Sequence, residues 1–254
     1  MALDEAILEM TVEKRADPTI RLYSWSPPCL SLGYAQPVSQ VDPDQIMANQ
    51  WDIVRRPTGG RAILHTDELT YSVAALLDDP HFTGGVLESY KHISQGLVRA
   101  LQILGVGIEI QPEVRLSNDE REQAICFELP SSYEITAGGK KLVGSAQVRR
   151  KGGILQHGSL PLSGDITRIC DVLAYPDEQA RKIAASRLRE RATTIEQLLG
   201  YPIAWQSVAD AMKTGFEEAL HIQVKQQNLS PQELERADKL YKEKYGQRDW
   251  VTKR

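Results

Sequence analysis

Two glycine pairs divide residues 131–162 into three runs in which apolar and polar residues alternate. The pairs are Gly138-Gly139 and Gly152-Gly153. Alternation of this kind is typical of half-buried strands, and a glycine pair between two such runs favours a tight hairpin. The sequence therefore predicts consecutive hairpin-connected strands here, which requires a sheet at the centre of the fold.

Helical patterns flank this strand-rich part of the chain. A helix is predicted almost from residue 1, a short one from Asp42-Pro43 to about Asn49, and a long one from Val86 that stops at Gly105. After Gly164, helices are predicted over residues 166–175, 177–192, 194–200, 207–221 and 230–246. Strands from about residue 20 to 162, followed by a helical tail, predict one mixed α/β (α+β) domain over residues 1–254.

Composition and charge argue against several functional classes. The 254 residues carry a formal net charge of −4, which disfavours a nucleic-acid partner, and no apolar run is long enough to cross a membrane. The acidic N-terminus is unlike a secretory signal, although a helix that begins at residue 1 suggests that preceding sequence is missing. The three cysteines lack metal-site spacing, so we expect a cytoplasmic protein with no metal and room for one reactive thiol.

Three segments carry residues from which a reactive site could be built. They are RRPTGGRAILH from Arg55, CFELPSSYEI from Cys126, and GGKKLVGSAQVRRKGGILQHGSL from Gly138. Each also has an ordinary structural interpretation: a Gly-Gly surface turn, a buried cysteine, and a solvated hairpin tip with lysines. Residue types alone therefore leave a cysteine-dependent transferase as one interpretation among several.

Five motifs, taken in order, resemble the lipoate/octanoate branch of the biotin/lipoate protein ligase superfamily. They are MALDEAIL, PPCLSLGYAQ, VRRPTGGRAILHTDELTYSV, KKLVGSAQVRRKGGILQHGSL and the tail LYKEKYG..DW, and they extend from residue 1 to about 250. The resemblance implies a ligase-like catalytic domain, in which helices flank a central mixed sheet and form the C-terminal tail.

Two features resemble the octanoyltransferases of this branch more than its ligases. ICFELPSSYEI is similar to the Cys-Phe-x-x-Pro-Ser-x-Tyr-Glu motif of octanoyltransferases that end in a helical tail, and HTDELTYSV is similar to the transferase form of that segment. From its length we also expect the protein to lack the extra C-terminal domain of the larger ligases. Related amidotransferases use a cysteine too, but they usually lack the complete RRPTGGRA motif.

The resemblance implies a cysteine–lysine pair of catalytic residues, Cys126 and Lys141. An octanoyl group would pass from acyl carrier protein to Cys126, and then to a lysine of a lipoyl domain or of glycine-cleavage H protein. Lys141 would favour the thiolate and carry the proton, and no cofactor would be needed. The alternatives are an ATP-dependent lipoate–protein ligase and a non-catalytic partner that only binds acyl carrier or acceptor domains.

The remaining motif residues are predicted to bind substrate. They are Arg56, Gly59, Gly60, His65, Gly144, Ser145, Ala146, His157 and Gly158. The Gly59-Gly60 pair would lie against the acyl chain, Arg56 and His65 would shape the pocket mouth, and backbone amides near Gly144 or Gly158 would stabilise an oxyanion. Apolar walls would come from Ile63, Leu64, Tyr71 and Val73.

Two surface features complete the sequence-based hypotheses. The basic run Arg149–Lys151 is predicted to form part of a docking face for the acidic carrier, with a solvated charge run as the alternative. The polar segment 113–123 is predicted to be a mobile loop that orders over the site when substrate binds.

Overall fold

The computed structural model describes residues 1–82, 84–110 and 135–253. Its strands are β1 (Thr19–Tyr23), β2 (Cys29–Leu32), β3 (Asp52–Arg55), β4 (Ile63–His65), β5 (Glu68–Leu76), β6 (Glu109–Ile110), β7 (Ile135–Ala137), β8 (Lys140–Arg150) and β9 (Gly153–Pro161). Its α-helices are α1 (Ala2–Val12), α2 (Pro43–Ala48), α3 (Val86–Ile103), α4 (Glu178–Arg191), α5 (Ile195–Leu199), α6 (Trp205–Leu220), α7 (Pro231–Leu240) and α8 (Arg248–Thr252). Short 3₁₀ helices cover Val38–Gln40 and Ile166–Asp171, and a π-helical turn covers Tyr241–Tyr245.

The larger sheet has six strands in the order β1-β5-β9-β8-β7-β6, and every neighbouring pair is antiparallel. The β7–β8 hairpin turns at Gly138-Gly139, as the sequence predicts, with positive φ at both residues. The β8–β9 hairpin turns one residue earlier than expected, because Lys151 and Gly152 adopt positive φ and Gly153 is already the first residue of β9.

The smaller sheet has three strands in the order β3-β2-β4. β2 pairs in parallel with β3 and antiparallel with β4. The mixed α/β class is therefore confirmed, but the mixed strand pairing expected of the central sheet occurs in this smaller sheet. Tight hairpins such as β7–β8 and β8–β9 can join only antiparallel strands, which accounts for two of the five antiparallel pairs in the larger sheet.

Helices cover both faces of the larger sheet. α3 and α6 pack on one face, where Tyr71 of β5 belongs to the same buried cluster as Leu97 and Phe216. α1 packs on the opposite face, where Ile7 joins Leu155 of β9 in a second cluster. Alternate residues of β5 and β9 therefore point toward different helices, so each strand is buried along nearly its whole length.

The helical tail is largely as predicted. α7 begins with the expected capping box, in which Ser230 Oγ accepts from the Glu233 amide and the Glu233 carboxylate accepts from the Ser230 amide. The prediction of a helix over residues 166–175 is wrong after Asp171, where the 3₁₀ helix ends. Beyond it, Leu173 pairs with Val41 as an isolated β-bridge. Among the described helices, none has the length and apolarity that a bilayer span requires. That the whole chain forms one domain stays a prediction.

Candidate active site

A register shift between β7 and β8 decides which face of the sheet Lys141 occupies. The shift lets two successive β8 residues, Leu142 and Val143, both enter the core beneath α3 and α6. Lys141 precedes this pair and so lies on the opposite face, the one it shares with Gly144 and Ala146. Its side chain is buried in the fold, with a relative exposure of 4%.

A narrow cleft opens on this side of the sheet. It is lined by Met1, Ser31, Arg56, Ile63, His65, Thr70, Gly144, Ser145, Ala146, His157 and Gly158. The fold thus brings together most of the predicted substrate-binding residues from β4, β8, β9 and the loop after β3. Gly59 and Gly60 are the exceptions, since both are exposed and neither lines the cleft.

Arg56 is buried beneath the glycine turn. Its Nε and Nη2 atoms donate to the carbonyl oxygen of Gly59 at 3.1 and 2.8 Å, and Nη2 donates to that of Arg61 at 2.6 Å. Its Nη1 atom donates to the carbonyl oxygen of Ser31 at 2.9 Å. Arg56 therefore fastens the turn onto β2 and lines the wall of the cleft, instead of standing at its mouth as expected. A direct role in binding substrate stays a prediction.

His65 joins the two sheets through a chain of hydrogen bonds and is buried, so it does not shape the mouth either. Its Nε2 atom is 2.8 Å from Ser31 Oγ, and its Nδ1 atom is 2.6 Å from Glu68 Oε1. The Glu68 carboxylate also accepts from the hydroxyls of Thr70 and Ser159. Because a carboxylate only accepts hydrogen bonds, Nδ1 of His65 carries a proton and donates it to Glu68, which leaves Nε2 for the Ser31 hydroxyl.

His157 reaches the same cleft from β9. Its Nε2 atom is 2.5 Å from Thr58 Oγ1, while its buried Nδ1 atom has no hydrogen-bond partner among the residues that the structure describes. Burial lowers the pKa of this imidazole to about 3, against the opposing charge of Asp4. His157 is therefore neutral at physiological pH.

The predicted apolar wall is only partly present. Ile63 lines the cleft, but Tyr71 and Val73 belong to the core under α3 and α6, because alternate residues of β5 face that core. The Tyr71 hydroxyl instead bonds Ser145 Oγ at 2.7 Å and accepts from Gln156 at 2.9 Å on that side of the sheet. Tyr71 and Val73 therefore do not line the cleft formed by the described residues, and their part in an acyl pocket stays a prediction.

The structure describes two of the three cysteines, Cys29 and Cys170. Cys126 lies outside the described residues, as does segment 113–123, so its pairing with Lys141 stays a prediction. Cys29 and Cys170 are both buried. Burial raises the pKa of the Cys29 thiol to about 12, with a further contribution from Asp52, so this thiol is protonated at neutral pH. A packing role for Cys29 agrees with that environment.

The basic run at the end of β8 contacts other parts of the chain. Arg149 donates to the carbonyl oxygens of Gly84 and Gly85 at 2.8 and 2.6 Å. The next two residues form ion pairs with α1, Arg150 with Glu5 and Lys151 with Glu9, each at 3.3 Å. These contacts give the run a structural role, while its part in docking a carrier stays untested.

Sequence reasoning missed four residues that organise the cleft. They are Ser31, Gly33, Thr58 and Glu68. Of these four, only the position of Glu68 could have been recognised from local sequence. It follows His65 by three residues and could contact it across the turn between β4 and β5. Ser31 and Thr58 lie within quoted motifs, but nothing in a pattern of residue types indicates which histidine each contacts.

Comparison with known proteins bears on all these motifs at once. Residues 1–217 match the model of the lipoyl protein ligase A/B catalytic domain. This range includes the segments that begin at Arg55 and Gly138 and all the residues that line the described cleft. The chain belongs to this family. The match runs through both sheets, so the assignment does not depend on the Cys126 segment alone.

Relatives of this family member distinguish transferase from ligase. Octanoyltransferase LipM of Brevibacillus brevis is 37% identical over 262 aligned residues, covering 100% of this chain and 94% of that protein. Octanoyltransferase LipM of Kyrpidia tusciae is 41% identical over 244 residues, covering 94% and 89%. Identity at this level over nearly the whole of both chains shows that this protein is an acyltransferase related to these octanoyltransferases.

Solved structures confirm the ligase-like mixed α/β fold. A bipartite lipoate protein ligase from Thermoplasma acidophilum, studied with its E2 lipoyl domain, matches with a TM-score of 0.80 at 26% identity, covering 99% of this chain and 89% of that one. Lipoate-protein ligase A bound with ATP matches with a TM-score of 0.79 at 26% identity, covering 99% and 92%.

Proposed function

We propose that this acyltransferase moves an octanoyl group from octanoyl-acyl carrier protein to Cys126, and from there to a lysine ε-amine on a lipoyl domain or on glycine-cleavage H protein. The kinship with octanoyltransferases, at 37% and 41% identity, supports octanoyl transfer in protein lipoylation. The choice of donor, the thioester on Cys126 and the acceptors are our proposal. The Cys126 motif is the observation that carries them.

In the first half-reaction the Cys126 thiolate attacks the thioester carbonyl carbon of the donor. The bond from that carbon to the carrier sulfur breaks, and the released carrier thiolate takes a proton from the Lys141 ammonium. In the second half-reaction the acceptor amine attacks the Cys126 thioester, and the Lys141 amine removes the proton that the nitrogen must lose. An ammonium close to Cys126 also lowers the free energy of the thiolate.

The proposed chemistry needs no cofactor. A thioester is exchanged first for a thioester and then for an amide, and the second exchange is downhill without ATP. Burying about six methylenes of an octanoyl chain, each worth about 0.8 kcal/mol, supplies binding energy without a charged anchor. The cleft beside Ile63 is the proposed entrance for that chain, and we expect the reaction to take place in the cytoplasm.

An ATP-dependent lipoate–protein ligase is the second candidate. The observation that favours it is the fold match to a lipoate-protein ligase A that was solved with ATP bound. A ligase would activate free octanoate or lipoate with Mg-ATP, whereas the proposed transferase would use only the carrier-bound acyl group.

The decisive experiment mixes the purified protein with octanoyl-acyl carrier protein in the absence of any acceptor. We expect one octanoyl group, labile to hydroxylamine, on the peptide that contains Cys126. Adding apo lipoyl domain should discharge this adduct without ATP. Modification of the acceptor by free octanoate and Mg-ATP, at a rate equal to that from the carrier, would establish the ligase instead.

The other two cysteines provide matched controls. Cys126→Ser should abolish the adduct, because a serine hydroxyl lacks the low pKa of a thiol. Cys29→Ser and Cys170→Ser replace buried thiols and should keep the adduct in whatever fraction folds. An octanoyl group on Cys29 or Cys170 in the wild-type protein would rule out Cys126 as the acyl carrier.

A further inference from the structure

The buried Nδ1 atom of His157 has no hydrogen-bond partner among the residues that the structure describes. The ring is 5% exposed, it lines the cleft, and among the described residues only Thr58 hydrogen-bonds to it. Leaving a buried polar atom unpaired destabilises a folded protein. Because His157 lines the cleft, a bound substrate could supply the missing partner.

The partners of Thr58 indicate where the proton of the neutral ring lies. Thr58 is fully buried, and among the described residues its hydroxyl contacts only His157 Nε2. If Nε2 carried the proton, both the Thr58 hydroxyl hydrogen and the Nδ1 lone pair would lack partners. If Thr58 donates to Nε2, the Nδ1–H group alone is unsatisfied. The second arrangement leaves fewer buried groups unpaired and is therefore favoured.

We propose that His157, held by Thr58 as the tautomer protonated on Nδ1, donates a hydrogen bond to the acyl carbonyl oxygen in both half-reactions. The proposal rests on the acyl transfer set out above and adds a residue to it. A carbonyl oxygen only accepts hydrogen bonds, so it complements an N–H donor. His157 also pairs across the sheet with Ala146, which lies on the face of β8 that Lys141 occupies.

The hydrogen bond acts when the carbonyl becomes an oxyanion. As the Cys126 thiolate bonds to the carbonyl carbon, the π electrons of the carbonyl move onto its oxygen. The Nδ1–H group stabilises that charge and keeps its proton throughout, so no atom is transferred. When the leaving sulfur departs, the electrons return to restore the carbonyl. A neutral imidazole can perform this role without changing its charge.

The first test is the tautomer of His157 in the free protein, measured by 15N NMR on histidine-labelled enzyme. We expect a pyrrole-type signal from Nδ1 and a pyridine-type signal from Nε2, assigned by their loss in His157→Asn. Thr58→Val should shift both signals toward a mixture of tautomers, while Thr58→Ser should preserve them. A protonated Nε2 in the wild-type protein would overturn the proposal.

The second test compares variants of His157 by the rate of Cys126 acylation from octanoyl-acyl carrier protein. An asparagine amide can mimic Nδ1–H, whereas a glutamine amide extends toward the Nε2 position. His157→Gln and His157→Leu should slow acylation by about 10²-fold, the usual effect of removing one oxyanion donor, and His157→Asn should recover part of the loss. A rate for His157→Leu within about threefold of wild type would contradict the proposal.

His92 supplies a matched control. Its Nδ1 atom is also buried and has no hydrogen-bond partner within the described part of the chain, but His92 lies on α3 and does not line the cleft. His92→Leu should acylate at the wild-type rate. Thr58→Val should slow acylation, and Thr58→Ser should restore it. If the wild-type protein forms no adduct at all, the proposed function fails. The tautomer measurement still tests the arrangement of His157 and Thr58 in that case, even if some variants do not fold.

Discussion

Gly33 and Gly60 lie so close together that a Cβ atom added to Gly33 would be 1.9 Å from the carbonyl oxygen of Gly60. Gly33 follows β2, and Gly60 adopts a φ of +87° in the turn before β4. Arg56 donates to the carbonyl of Gly59 in the same turn. Gly60 therefore serves close backbone packing between β2 and the turn, while contact of Gly59 and Gly60 with an acyl chain stays a prediction.

Gly33→Ala should destabilise the protein and reduce acyl transfer. The added methyl would meet backbone atoms, which cannot rotate away, and overpacking of this kind typically costs about 1–3 kcal/mol. Urea unfolding and the rate of Cys126 acylation measure the two effects. Gly59→Ala is the control, since a Cβ there would meet nothing within 4 Å. Equal stabilities for the two variants would contradict the close approach.

Asp4 should be a determinant of acid stability. Its buried carboxylate accepts from Arg21, Tyr23 and Ser72 at 2.8, 2.9 and 2.8 Å. Burial alone would raise the pKa of this carboxyl, but nearby positive charge, including Arg21, and the bond from Ser72 lower it well below 3.8. A lowered pKa contributes stability that is complete above the unfolded-state value and is lost as the pH falls through the folded-state value.

Asp4→Asn should therefore lower the free energy of unfolding at neutral pH by on the order of 3 kcal/mol, because the charged hydrogen-bond acceptor is lost. Its stability should also decline less than that of wild type below about pH 4. Urea titrations between about pH 7 and pH 3 provide the measurement. The exposed Asp44 offers a control, since Asp44→Asn should follow the wild-type profile. A parallel decline for Asp4→Asn and wild type would show that Asp4 does not titrate as described.

Lys141→Ala should slow Cys126 acylation by about 10²-fold near pH 7, because the ammonium that favours the thiolate is lost. Raising the pH to about 9 should recover part of the rate by ionising the thiol directly. The measurement is single-turnover acylation from octanoyl-acyl carrier protein. Lys140→Ala is a close control, since the Lys140 amine donates to the exposed backbone of Arg189 at 2.6 Å. Identical rates for both variants would exclude Lys141 from the reaction.

Glu68→Gln should destabilise the junction between the two sheets. The Glu68 carboxylate accepts from His65, Thr70 and Ser159, and a glutamine amide would place N–H groups against one of these donors. We expect a loss of about 1–3 kcal/mol in urea unfolding. The control is Asp67→Asn, at the residue directly before Glu68, which is half-exposed and forms an ion pair with Arg168. This change should lower the free energy of unfolding by less than about 1 kcal/mol. An unchanged midpoint for Glu68→Gln would show that the network contributes no stability.

Local sequence determined most of the elements of this protein. Glycine pairs predicted the β7–β8 turn, and a capping box predicted the start of α7, because these signals act through backbone conformation within a few residues. The family motifs also predicted most of the residues that line the cleft, including Gly144 and His157.

Only the tertiary structure decided how those residues face one another. The register shift beside Leu142 moves Lys141 to the cleft side, and Tyr71 turns away from it, since side-chain direction depends on pairing between distant strands. The contact of His157 with Thr58 spans 99 residues of the chain. No local pattern encodes such a contact, because it exists only once β9 and the turn after β3 have packed together.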